Sequence, residues 1–453
     1  MSLSKEKLLV WAAFGGELGT VKSLCSDPTV NINWQEEGGI TPLCGACQGG
    51  RVGVVRFLLS LKGIDPNRAD HGGFTPFFVA CQEDHKEVVS VLLRDPRIDI
   101  SKPQNTGATP FFMTCQQGRL ELVLLLLADP RIDPNTPRDT GATPFFMACQ
   151  NGHKEVVSLL LADPRIDPSK PQNTGATPFN IACQNNHKVV VSLLLADPRI
   201  DPNQATEDKV TPFYIVCWYG YKELVPLLLA NPKIDPNEPR DIGTAPFFVA
   251  CQNGHKEVVS LLLADPRIDP NRPDAQQETP LWVASHQGHL VFVQLLLASR
   301  GEIDTRKRSS NNNKTAAEHA RALAARTSKS ADEPEEDFQR RKTNGPLCAD
   351  LIDEYERTPV AVRHRLRRQP GLREYFIGHL FALVVFHSDS FAVINERTAG
   401  SYTRRFFKIA SQFPLDLQMV LCNRVFGSPR NIILSKDSEP GFQLLARTTT
   451  WQQ

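Results

Sequence analysis

No segment of this 453-residue chain is apolar over the ~18–20 residues that a membrane-crossing helix needs. The longest candidate, Ile377–Phe386, is about half that length and is broken by His379. An excess of one charge is lacking as well. With 51 Lys+Arg against 50 Asp+Glu the net charge is +1, so nothing global asks for nucleic acid or an anionic membrane. There is no H-E-x-x-H, phosphate-cradling loop or nucleophile elbow, which removes the commonest signatures of catalysis. No secretory leader is read at the start. The apolar run Leu8–Phe14 fits instead the first helix of a degenerate repeat, since Ala12 lies 34 residues before Ala46.

What is present is a period. Thr-Pro occurs at Thr41, Thr75, Thr109, Thr143, Thr177, Thr211 and Thr279, and Ala245-Pro246 fills the one gap, every step being 34 residues. Fixed periods of this size mark stacked repeats, whose units bury a core only against their neighbours. In the unit that starts at Thr143, Thr caps a helix and Pro144 suits its first position. Gly152 closes that helix, with Asp84 and Asn186 in its place in two other units. A second helix is expected over Lys154–Ala162, with Val156, Val157, Leu160 and Leu161 facing inward, and Asp163-Pro164 stops it.

Seven of the 11 cysteines share one repeat position, from Cys47 to Cys251. Helices pack about 8–10 Å apart, whereas a disulfide needs Cα atoms closer than about 7 Å. These are read as free core thiols, Cys44 and Cys47 included, and free thiols suit a reducing compartment. A cytoplasmic location is expected. Each member of a basic column (Arg97, Arg131, Arg165, Arg199, Lys233, Arg267) is flanked by acidic neighbours, which reads as a solvated ladder rather than a nucleic-acid track.

The pattern T-P-x-x-x-A-C-x-x-G-H-x-E-V-V-x-L-L-L resembles the ankyrin repeat, lengthened by one residue at Asp-Pro-Arg, over roughly residues 5–326. The resemblance implies an all-α helix-turn-helix solenoid with extended turn loops, and a partner bound on its concave side. It implies that His85, His153, His187, His255 and His289 bond a neighbouring turn. Phe, Tyr, Asn or Trp stands where the family has the His of T-P-L-H. The two positions after Ala-Cys are implied to face the groove. They are mostly amides, among them Gln184, Asn185, Gln252 and Asn253, with His286 and Gln287 in the last unit. One unit departs, with Trp218, Tyr219 and Tyr221, residue types that dominate binding hot spots. That unit also carries Pro226, a possible kink of its second helix, and the next has Ala245 in place of the capping Thr.

The expected organisation is a solenoid over 1–326, with an N-terminal cap over 1–37, eight full repeats and a partial cap at about 314–326. An acidic flexible linker is expected over 327–345 and a mainly helical domain over 346–453. The cluster Arg357–Arg373 is either a wet helix face or a surface for an acidic partner. Phe413-Pro414-Leu415-Asp416-Leu417 is similar to the opening of an F-box, which implies the alternative role of a ubiquitin-ligase substrate adaptor. The principal expectation is a monomeric protein–protein interaction module without catalysis, cofactor, metal or nucleic acid.

Overall fold

The computed structural model describes residues 4–299, 301–330, 332–369 and 372. Among them every regular element is a helix. The chain divides into two compact units, residues 1–207 and 208–453.

The first unit is a row of helix pairs. α1 (Lys5–Gly15) and α2 (Leu18–Cys25) open it. Then come α3 (Pro42–Gln48) with α4 (Val52–Leu59), and α5 (Pro76–Gln82) with α6 (Lys86–Leu93). α7 (Pro110–Gln117) with α8 (Leu120–Leu127), and α9 (Pro144–Gln150) with α10 (Lys154–Ala162), follow. α11 (Pro178–Gln184) with α12 (Lys188–Ala196) ends the row. First helices pack on first helices from pair to pair.

The second unit continues the pattern with α13 (Pro212–Tyr219) and α14 (Leu224–Leu229), then α15 (Pro246–Gln252) and α16 (Lys256–Ala264). α17 (Pro280–His286) and α18 (Leu290–Ala298) form its last full pair. α19 (Ala316–Ala324), α20 (Glu335–Arg357) and α21 (Pro359–Leu366) close the described part.

The local chemistry is the same in nearly every pair. Thr143 Oγ1 accepts the Phe146 amide at 3.1 Å, and Gly152 takes φ of 74° where the chain must turn left-handed. Asp84 and Asn186 adopt φ of 61° and 58° at the same column. The cysteines that share one repeat position from Cys47 to Cys251 are buried and free, and burial pushes the Cys149 thiol well up. Buried aromatics at two successive positions, such as Phe145 and Phe146, fill the core of most repeats. The residue that replaces the family's His is therefore a packing residue in most repeats. In one repeat it is Asn180, which forms a capping box with Thr177 and donates to the Gln204 carbonyl at 3.2 Å.

The extra residue at Asp-Pro-Arg has a structural purpose. Asp163 holds the Arg165 guanidinium, whose Nη2 donates to the Leu127 carbonyl of the preceding pair at 2.8 Å. The same clamp recurs at Arg97, Arg131, Arg199 and Arg267. It satisfies a carbonyl that the end of the second helix leaves orphaned. Each of these arginines is thus shared between its flanking aspartate and a carbonyl of the preceding pair. Hydrogen bonding to arginine holds Asp163 below the usual carboxylate range.

Three sequence expectations need correction. The acidic stretch over 327–345 is from Glu335 onward the first half of α20. Its Glu335, Glu336 and Asp337 fall in the first turn, where the positive end of the helix dipole favours them. Phe338 and Gly345 are buried, and α20 packs on α19, α17 and α18. Among the described residues α20 and α21 thus pack with the last repeats. Pro226 sits in the first turn of its helix rather than in the interior. α14 starts two residues later than its counterparts, because proline cannot donate the amide that would close the first turn. The arginines of the 357–373 cluster that are described largely serve the fold. Arg367 donates to the Ala298 carbonyl at 2.8 Å, Arg363 to Tyr355 Oη at 2.6 Å, and Arg365 forms a fork with Glu354.

Candidate functional site

The candidate surface is built from the two residues that end each first helix. Their backbone is committed to the stack. In the first unit the Gln150 carbonyl accepts from His187 Nε2 at 2.9 Å and from Asn185 Nδ2 at 2.7 Å. The Gln116 carbonyl accepts in the same way from His153 and Asn151. In the second unit the Trp218 carbonyl accepts from His255 at 2.8 Å and from Asn253 at 2.9 Å. The histidines therefore bond the neighbouring turn, as the family resemblance implies. The bond also ties down a carbonyl whose own side chain remains free to differ.

That freedom is used at one repeat. Trp218 is 40 % exposed and Tyr219 47 % exposed, although both end a helix whose other face is core. Tyr221 is half-buried and stacks on Tyr219, with ring centroids 5.5 Å apart and planes within 13°. Trp218 leans on buried Tyr214 at 6.1 Å, and Tyr214 Oη pairs with Thr244 Oγ1 at 3.1 Å. The Arg240 guanidinium lies 6.0 Å over the Tyr214 ring. The exposed rings are thus backed by packed ones, which limits the freedom they would lose on binding. Burial, followed by the neighbouring Tyr219, raises the Tyr221 hydroxyl above its ordinary value, so it stays protonated and able to donate.

The remaining sequence candidates separate into three groups. Gln184 is exposed and Gln252 half-buried at the ends of their helices. Asn185 and Asn253 are exposed, but their amides are spent on the bonds just described. His286 and Gln287 are not open floor. His286 lies against both Trp282 and His319, and Gln287 Oε1 accepts from Arg341 of α20 at 2.6 Å. The cover was hidden because the acidic stretch that forms it reads as a spacer.

One aromatic pair was missed. Trp11 and Phe14, 63 % and 48 % exposed on α1, lie 34 residues before Gly45 and Gln48. Phe14 thus occupies the column of Trp218. The offset that aligned Ala12 with Ala46 would have found it. The first pair lacks Thr-Pro, however, and so had no anchor for the count.

The family model for ankyrin repeats (3 copies) matches residues 9–104, 111–206, 166–240 and 213–309, more than half of the chain. This chain belongs to the ankyrin-repeat family. No curated protein matches it. Ankyrin repeats are protein-interaction modules and are generally not enzymes. Among the described residues no helix is long and apolar enough to cross a membrane. No group of three or more His, Cys, Asp or Glu among them is placed to hold a metal ion. The F-box-like segment at 413–426 and the rest of the helical domain expected beyond Leu372 lie outside the described residues.

Proposed function

We propose that this ankyrin-repeat chain is a scaffold or adaptor that binds another protein through the ends of its first helices. Trp218 and Tyr219 are the anchors and Tyr221 is the backing ring. The carrying observation is the exposure of two large aromatics at a repeat whose carbonyl bonds and core column are intact. Exposed aromatics on a preorganised support are the usual carriers of binding energy at protein interfaces. The arginine column is spent on helix ends, which speaks against nucleic acid as the partner. The reading includes no catalysis and no cofactor, a cytoplasmic location and a monomeric state.

The test is a comparison of full-length chains. A partner isolated with the wild-type chain is titrated against Trp218→Ala with Tyr219→Ala. The expected result is a loss of at least tenfold in affinity with an unchanged thermal midpoint. An unchanged affinity would reject the aromatic repeat as the anchor.

A further inference from the structure

The end of the second unit holds a chain of neutral imidazoles. Trp282 and His286 of α17 and His319 of α19 stack, with centroids 5.2 Å apart for Trp282–His286, 4.3 Å for Trp282–His319 and 5.1 Å for His286–His319. His286 Nδ1 lies 2.9 Å from His319 Nε2, and His319 Nδ1 lies 3.1 Å from Asn312 Nδ2. The proton positions follow from one anchor. The Lys314 amide donates to Asn312 Oδ1 at 3.0 Å, so the nitrogen of that side chain is the atom facing His319. An amide nitrogen only donates, so His319 Nδ1 accepts. His319 then carries its proton on Nε2 and donates it to His286 Nδ1. Both imidazole lone pairs are in use.

The charged groups around this chain are mostly cationic. Arg341 of α20 faces both rings and Lys314 faces His319, while Glu333 opposes them at His286. His289, at the start of α18, meets Arg340 and Arg341, with Asp337 opposing. Burial first and these cations second hold all three histidines down at about 4. α20 is pinned over the same spot. Arg340 Nε donates to the Gln287 carbonyl at 2.9 Å and Asn344 Nδ2 to the Gly288 carbonyl at 2.9 Å.

We propose that this imidazole chain is an acid-released latch holding α19 and α20 over the end of α17. A proton added to His319 Nδ1 or His286 Nδ1 turns an acceptor into a donor that faces another donor, beside Arg341. Protons bind more weakly to the closed form than to the open one. The closed form is therefore fully favoured above the ordinary histidine value of 6.5 and loses ground as pH falls toward 4. From pH 7 to pH 5 each histidine shifts the opening equilibrium by about twentyfold. The response thus begins well above the pH at which the closed rings themselves titrate.

Hydrogen exchange of the full chain, read by mass spectrometry at pH 7 and pH 5 and corrected for intrinsic rates, tests this. Opening of α19 and the first half of α20 should rise at least twentyfold relative to α9 and α10 in the same sample. His319→Gln keeps a donor but cannot take up a proton, so its acid response should be smaller by about twentyfold. An equal response in both regions, or an undiminished response in His319→Gln, overturns the latch. Should that variant not fold, imidazole nitrogen shifts of the wild-type chain decide instead. The proposal requires His319 in the Nε2–H form at pH 7, and a charged ring or the Nδ1–H form overturns it.

Discussion

The repeat of α9 and α10 and the repeat of α13 and α14 share one skeleton and differ in what they show to solvent. Thr143 and Thr211 each cap their helix at 3.1 Å, Cys149 and Cys217 are buried, and Gly152 and Gly220 both take positive φ. The Gln150 and Trp218 carbonyls each accept a histidine of the following pair. At the ends of the first helices, however, Trp218 and Tyr219 stand in the repeat positions of Gln150 and Asn151, and Tyr221 in that of His153. The bonds that hold the stack pass through backbone carbonyls, capping hydroxyls, the column histidines and, where the second terminal residue is asparagine, its side-chain amide. The two terminal side chains can therefore change at the cost of at most that one amide bond.

Removing the shared skeleton should have the largest effect, and the same effect in both repeats. Phe146→Ala is expected to cost about 3–5 kcal/mol by denaturant unfolding, because its ring is almost fully buried. Tyr214→Ala at the same column should cost as much. A much smaller loss at Tyr214 would mean that the aromatic repeat is loosely packed.

Gly152→Ala and Gly220→Ala come next. A Cβ there would meet the ring of His187 at 2.5 Å or of His255 at 2.4 Å, at φ of 74° or 76°. The left-handed backbone alone costs about 1–2 kcal/mol, and the clash adds to it. Thermal midpoints should fall in both variants.

The cap gives a smaller and signed contrast. Thr143→Ala should lose about 1 kcal/mol. Ala245, whose backbone angles of −84° and 160° match those of the capping threonines, lacks the side-chain bond. Ala245→Thr should gain about the same amount. Failure of the gain would mean that a threonine at 245 does not reach the capping geometry of the other repeats.

Much of this was legible in the sequence because the 34-residue period repeats the same local chemistry. Thr-Pro, the turn glycine and the cysteine column each have one physical use, and they recur often enough to fix the helix boundaries. Lys154–Ala162 was read to the residue. The arginine column was read as paired with its flanking aspartates, as it is, but its bond to a carbonyl 38 residues away is a contact that no local pattern reports. α20 was hidden by composition. Its charged first turns look solvated, and their arginines find the Gln287 carbonyl and side chain only after the repeats have stacked. His286 was assigned to the open floor by column arithmetic alone, and α19 covers it.

The most direct test sets the same two columns of the two repeats against each other. Trp218→Ala with Tyr219→Ala and Gln150→Ala with Asn151→Ala are made in the full chain, and partner affinity and unfolding free energy are measured for both. The account predicts that the aromatic pair loses at least tenfold in affinity at unchanged stability. The amide pair should keep its affinity but lose about 0.5–1.5 kcal/mol of stability, the worth of the Asn151 bond to the Gln116 carbonyl. Equal affinity losses from the two pairs, or a stability loss confined to the aromatic one, would contradict it.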